Sequence, residues 1–145
     1  MYHNLWNIFE VLVDIYEGFN VYYFIFSFLD YNFKKQKNKI IFSCGALIHA
    51  CLVLFFNMLM FYEGAWGSIY IIFTFIYTLI FVHRGVIKTF FATMLAYIWL
   101  LSINAFFNVF ISSIADFNLV ALYTEQNVER FVFILSVQLS VTYVY

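Results

Sequence analysis

Polar and apolar positions along this chain fall into long blocks, and the blocks predict helices that cross a membrane. Residues 40–62 carry no formal charge. A run of about 23 residues spans a hydrocarbon core of about 30 Å with some tilt. Residues 19–29 are almost wholly apolar and continue a helix that starts earlier, so the first element is placed at 5–29. Further runs predict helices at 66–82, 89–114 and 131–145. The third, at about 17 residues, is near the minimum for a span and is expected to stand upright; the fourth is long enough to tilt. The fifth, at about 15 residues and with no basic stop, reads as a span cut off before completion. On that reading the chain is a piece of something longer. The expected fold is all-α, a polytopic transmembrane helical bundle in a single domain over residues 1–145, with no soluble domain.

The polar punctuation sets the topology. Lys34, Lys35, Lys37 and Lys39 lie between the first two blocks and make up four of the seven basic residues. A Lys or Arg at the centre of a membrane helix costs about 2.5–3.5 kcal/mol on insertion scales, so this stretch is expected as a loop. Short loops rich in Lys and Arg stay in the cytoplasm. Arg84 and Lys88, beside His83 and Gly85, form a second basic loop two crossings later, on the same side. Residues 63–67, with two glycines and Trp66, read as a turn at the opposite interface. Residues 116–130 form the only extended polar segment, of net charge −2, also placed outside. The N-terminus is then outside, with six of seven basic residues in the cytoplasm and seven of eight acids on the outer side. The expected location is a bacterial cytoplasmic membrane, crossed several times.

Composition agrees with lipid as the first partner. Hydrophobic residues make up 66% of the chain, charged residues 10%, and proline is absent. A soluble domain carries about 45–50% apolar and about 25% charged residues. A chain this short has too little interior to hide the excess. The net charge of −1 argues against a nucleic-acid partner, which would call for a basic patch. The 21 Phe and 12 Tyr, with many Ile, Asn and Lys, are residues of A/T-rich codons and point to a low-GC bacterium. Cys44 and Cys51, seven apart on one helix, stand about 10 Å apart along its axis, beyond the roughly 7 Å limit for a disulfide. They read as small apolar residues. The N-terminus lacks a basic n-region and a small-residue cleavage site, so it is expected to be retained.

Candidate chemistry is sparse. Glu10, Asp14 and Glu17 fall within about 60° of one another on the first helix, since each residue turns it by about 100°. Carboxylates this deep face a cavity or a partner, which makes the three a candidate ligand-binding stripe. If the helix begins later, they sit in water. Asn104, Asn108 and Ser112 recur at four-residue spacing, with Asn57 in the second span. Such side chains hydrogen-bond across helices for about 0.6–2 kcal/mol each, or line a substrate pathway. Ala46/Ala50 and Ala92/Ala96 are small pairs that let backbones approach. A cysteine-peptidase reading pairs Cys44 with His83, and needs the imidazole within hydrogen-bond reach of the thiol. His49 and Cys51, two residues apart on a helix, point to different faces and make a poor metal pair. There is no phosphate-binding glycine loop, no Ser-His-Asp set and no ATP-site motif. No catalytic residue, cofactor or metal is expected in this chain.

The order of features resembles a known group. The acid-bearing helix Glu10-Val11-Leu12-Val13-Asp14-Ile15-Tyr16-Glu17 is followed by Phe24-Ile25-Phe26-Ser27-Phe28-Leu29-Asp30 and the lysine loop. An apolar hairpin turning at Glu63-Gly64 comes next, and then a span ending Ile80-Phe81-Val82-His83-Arg84-Gly85. Together they resemble the N-terminal transmembrane sensor region of GHKL-type, Agr-like bacterial sensor histidine kinases of peptide quorum sensing. The resemblance covers nearly the whole chain and rests on hydropathy and loop spacing. It implies membrane helices that bind an extracellular signal, often a peptide, and a homodimer formed through the full-length kinase. It also implies a cytoplasmic core that autophosphorylates and passes the phosphoryl group to a response regulator. The kinase core lies beyond this sequence, and none of its three His is assigned as phospho-acceptor. The other reading of the residues is a small multi-pass transporter or substrate-binding membrane subunit.

Overall fold

The computed structural model describes residues 2–58, 63–115 and 128–143. These form five helices: α1 Tyr2–Phe28, α2 Gln36–Met58, α3 Glu63–Val82, α4 Val86–Ala115 and α5 Val128–Tyr143. No strand occurs among the described residues. Helices α1 to α4 close a ring in which each packs against the next and α4 returns to α1. Helix α5 lies in the groove between α1 and α4. It runs parallel to α1, since Phe9 meets Phe131 near the start of both and Glu17 meets Gln138 further along.

The helices present an unusual pair of faces. On α4 the inward positions are Thr89, Ala92, Thr93, Ala96, Tyr97, Leu100 and Ile103, a row at three- and four-residue spacing. Its outward positions are large and apolar, with Phe91 57%, Ile98 58% and Leu101 63% exposed. Helix α3 repeats the arrangement, burying Thr74, Tyr77 and Thr78 while Ile72, Ile76 and Ile80 face out. On these two helices small and polar residues share the interior with Tyr, Leu and Ile, while bulky hydrocarbon faces out. Two helices, α2 across Gln36–Phe56 and α4 across Val86–Phe107, are long and apolar enough to cross a membrane. Gly67–Val82 and Phe131–Thr142 are shorter apolar stretches.

Packing between α1 and α2 is closest at two glycines. A Cβ on Gly18 would stand 2.6 Å from the Ala46 carbonyl oxygen, and one on Gly45 would stand 2.5 Å from the Tyr22 ring. Ala46 and Ala50 are both buried, as are Ala92 and Ala96. The small pairs therefore sit on inward faces.

Helix α1 ends in a Schellman motif. The Tyr31 amide donates to the Phe26 carbonyl at 2.9 Å and the Asp30 amide to the Ser27 carbonyl at 3.0 Å. Asp30 takes a left-handed φ of 52°, and the Tyr31 ring packs on Phe26 with centroids 4.7 Å apart. The loop that follows is tied by Asn32, whose side-chain oxygen accepts from the Lys34 amide and whose carbonyl accepts from Asn38.

Two expectations are corrected. The lysine stretch is only partly loop: α2 begins at Gln36, so Lys37 and Lys39 belong to its first turns. Lysine is a good helix former, and an exposed first turn leaves its ammonium in water while the stem lies along the helix. The residues read as a turn, 63–67, are instead the start of α3. Their two glycines do not outweigh the helical preference of the long apolar run they lead into. The helices otherwise start a few residues earlier than expected, at 2, 36, 63, 86 and 128. Expectations for residues 59–62, 116–127 and 144–145 lie outside the described residues.

Candidate functional site

The three acids of α1 diverge in environment. Glu10 accepts a hydrogen bond from Trp6 Nε1 at 2.8 Å, one turn back on the same helix. Asp14 is half-buried, and its Oδ2 is fully enclosed with no hydrogen-bond partner. Glu17 reaches the α1–α5 seam, where Gln138 Nε2 donates to its Oε2 at 3.3 Å. One residue before it, the Tyr16 hydroxyl meets Thr142 Oγ1 on the same partner helix. Gln138 and Asn20 are more than nine-tenths buried, and Gln138 Oε1 and Asn20 Nδ2 find no partner.

Below this seam a file of buried polar groups continues through the ring. The Tyr97 hydroxyl of α4 lies 2.9 Å from Thr74 Oγ1 of α3 and 3.4 Å from His49 Nδ1 of α2. His49 is 1% exposed and is surrounded by the rings of Tyr22, Tyr70 and Tyr97. The Tyr22 hydroxyl lies toward Thr74 but short of hydrogen-bond geometry, and it has no other partner. Tyr77 donates to the Ile41 carbonyl at 2.7 Å. Thr78 and Thr89 extend the file, each buried with an unpartnered hydroxyl. Thr93 donates back to the Thr89 carbonyl at 2.9 Å.

Six of the seven basic residues gather at one end. Arg84 Nη2 donates to the Asp30 carbonyl at 2.8 Å and Lys88 Nζ reaches Asp30 Oδ2 at 3.2 Å. Lys34, Lys35, Lys37 and Lys39 are exposed beside that cap.

Several sequence candidates are not brought together. Cys44 and His83 are both exposed, and no hydrogen bond among the described residues joins them. His49 is buried while Cys51 is exposed, on different faces of α2. No group of three His, Cys, Asp or Glu among the described residues could hold a metal. Asn104 is half-buried on α4, and the side chains of Asn57, Asn108 and Ser112 lie outside the described residues. An apolar cleft of about 340 Å³ is lined by Trp99, Ser102, Ile103, Phe106, Phe107 and Ser140, and opens to the outside of the bundle.

Sequence reasoning missed the interior file. Its signal was the spacing Thr89, Thr93, Tyr97 and the pair Thr74, Thr78, four residues apart in each case. What the fold and the site define is an all-helical bundle with an acid-bearing seam and a buried file of hydroxyls. No family model, curated protein or solved structure matches the chain.

Proposed function

We propose that the chain is a membrane-embedded signal-sensing module, threaded several times through a bacterial cytoplasmic membrane with its N-terminus outside. In this reading it serves a two-component sensor histidine kinase of the GHKL type. The observation that carries it is the pair of faces on α3 and α4. A surface of Phe, Ile and Leu around an interior that includes Thr, Tyr and His suits lipid outside and a polarity-sensitive packing inside. Two basic loops pinned together by Asp30 favour a shared cytoplasmic side.

A sensor also needs an element with two arrangements. Helix α5 meets α1 through Glu17–Gln138 and Tyr16–Thr142, polar contacts that can be exchanged for others at little net cost. An extracellular peptide or small ligand acting near Glu10 and Asp14 would shift α5 only by binding its two positions with different affinity. Helix movement would then pass to the kinase.

Cysteine cross-linking in the full-length gene product tests this. With Cys44 and Cys51 replaced by Ser, Tyr16→Cys and Thr142→Cys should form a disulfide in membranes. Peptide fractions of spent growth medium should change its yield and the kinase output together. Yield and output unmoved by every fraction would sink the sensor reading. The polar file favours a second reading, a small transporter or substrate-binding subunit, for which solute uptake would fall when Thr74 and Tyr97 are replaced.

A further inference from the structure

Two carboxylates within electrostatic reach of each other lie on the inward side of α1, one turn apart. Among the residues whose side chains are described the one ion pair is Lys88–Asp30, at the far end of the helix, and none of their cations pairs with Asp14 or Glu17. Enclosing unpaired carboxylates carries a penalty of several kcal/mol per ion even after relaxation. A site of this kind takes up a cation.

Gln138 says which cation fits. It is 7% exposed, its Nε2 donates to Glu17 Oε2, and its Oε1 has no donor. An ionised Glu17 cannot supply one, because a carboxylate only accepts. A protonated Glu17 can. Its O–H would donate to Gln138 Oε1 while its other oxygen keeps the bond from Nε2, closing a paired acid–amide ring. A sodium ion would need several more oxygen ligands, and among the described residues no three acidic, His or Cys groups stand close enough to share a metal ion. A file of buried hydroxyls starts near Glu17. Tyr97 is within electrostatic reach of Glu17 and bonded to Thr74, and the unpartnered hydroxyls of Tyr22, Thr78 and Thr89 continue it toward the Asp30 end. Buried polar groups left without protein partners are where internal waters sit.

We propose that Glu17, clasped by Gln138 and backed by Asp14, is a proton-binding site that fastens α5 to α1. Hydronium gives its proton to Glu17 and leaves as water; loss of that proton breaks the ring and loosens the seam. The titratable groups around it are Glu10, Asp14 and Tyr16 on α1, His49 on α2, Tyr70 on α3 and Tyr97 on α4, with Glu129 and Arg130 in the first turn of α5. The inference rests on the seam itself and holds whether the chain signals or transports.

The test uses the whole chain in liposomes, with the proton as the probe. Spin labels on Ile8→Cys and Val132→Cys, in a background of Cys44→Ser and Cys51→Ser, report the α1–α5 distance across a pH titration. Wild type should lengthen as pH rises, and Glu17→Gln, which keeps both hydrogen bonds at every pH, should lose that dependence. Infrared spectra should show a protonated-carboxyl band in wild type that titrates over the same range and is missing in Glu17→Gln. The spectrum of wild type decides the matter even if the variant fails to fold. A distance indifferent to pH, or no titrating carboxyl band, overturns the proposal. So does a transition that moves when sodium replaces choline in the buffer, which would assign the site to a metal cation.

Discussion

The carboxylate of Asp30 lies 3.2 Å from the ammonium of Lys88, tying the cap of α1 to the first turn of α4. The same residue accepts from Arg84 at 2.8 Å through its carbonyl. One left-handed residue thus gathers both basic loops at one end of the bundle. Both ionic groups are well exposed, so the pair itself is worth only about 0–1 kcal/mol. Its value is positional.

Sidedness follows from that gathering. A cysteine at Lys37 and one at Ile87 should both resist a membrane-impermeant maleimide in intact cells and react once the cells are opened. A cysteine at Ser68, at the other end, should react from outside. Labelling of the Lys37 position from outside would invert the topology and leave the acids of α1 facing the cytoplasm.

The cap makes a separable prediction. Asp30 has φ 52°, a conformation that costs a residue with a Cβ about 1–2 kcal/mol and glycine nearly nothing. Asp30→Gly should therefore leave unfolding stability in detergent within about 1 kcal/mol of wild type, the relaxed cap offsetting the lost ion pair. Asp30→Val should destabilise by roughly 1–2 kcal/mol, since a branched side chain suits this conformation worst. Equal losses in the two variants would show that the pair, not the cap, holds this corner.

Glycine positions separate contact from conformation. Gly18→Ala would drive a methyl against the backbone oxygen of Ala46, which cannot rotate away, so α1 and α2 must part. Overpacking of this kind destabilises by about 1–3 kcal/mol. Gly67 is helical with nothing within 4 Å of a new Cβ, and Gly67→Ala should stabilise by roughly 0.5–1 kcal/mol. Thermal unfolding of both variants in one detergent checks the contrast.

How much of this could be read from the chain differs from feature to feature. The five helices were legible because long, mostly apolar runs with few charges have few alternatives. Their ends were less so, because Lys37, Lys39 and the 63–67 stretch are compatible with either helix or loop, and each turns out to be helical. The acids were picked out by their rarity. Their divergence was not, since Gln138 is 121 residues from Glu17 and only the parallel docking of α5 brings it there. The interior file escaped for a related reason. Thr74, Tyr97 and His49 each look ordinary in sequence, and His49 was weighed only against its neighbour Cys51. Their meeting depends on three helices closing a ring.

That meeting can be measured. Tyr97→Phe removes one hydroxyl that serves both Thr74 and His49, and all three residues are buried. Leaving a buried polar group unsatisfied costs about 1–3 kcal/mol, so this variant should lose stability although it gains apolar character. Thr74→Val keeps the shape and removes the other partner. If the two hydroxyls bond each other, the double variant should lose less than the sum of the single losses, with a coupling of roughly 0.5–3 kcal/mol. Strict additivity would mean that each hydroxyl is satisfied separately, and the file would then be a set of isolated polar sites with no continuity between the helices.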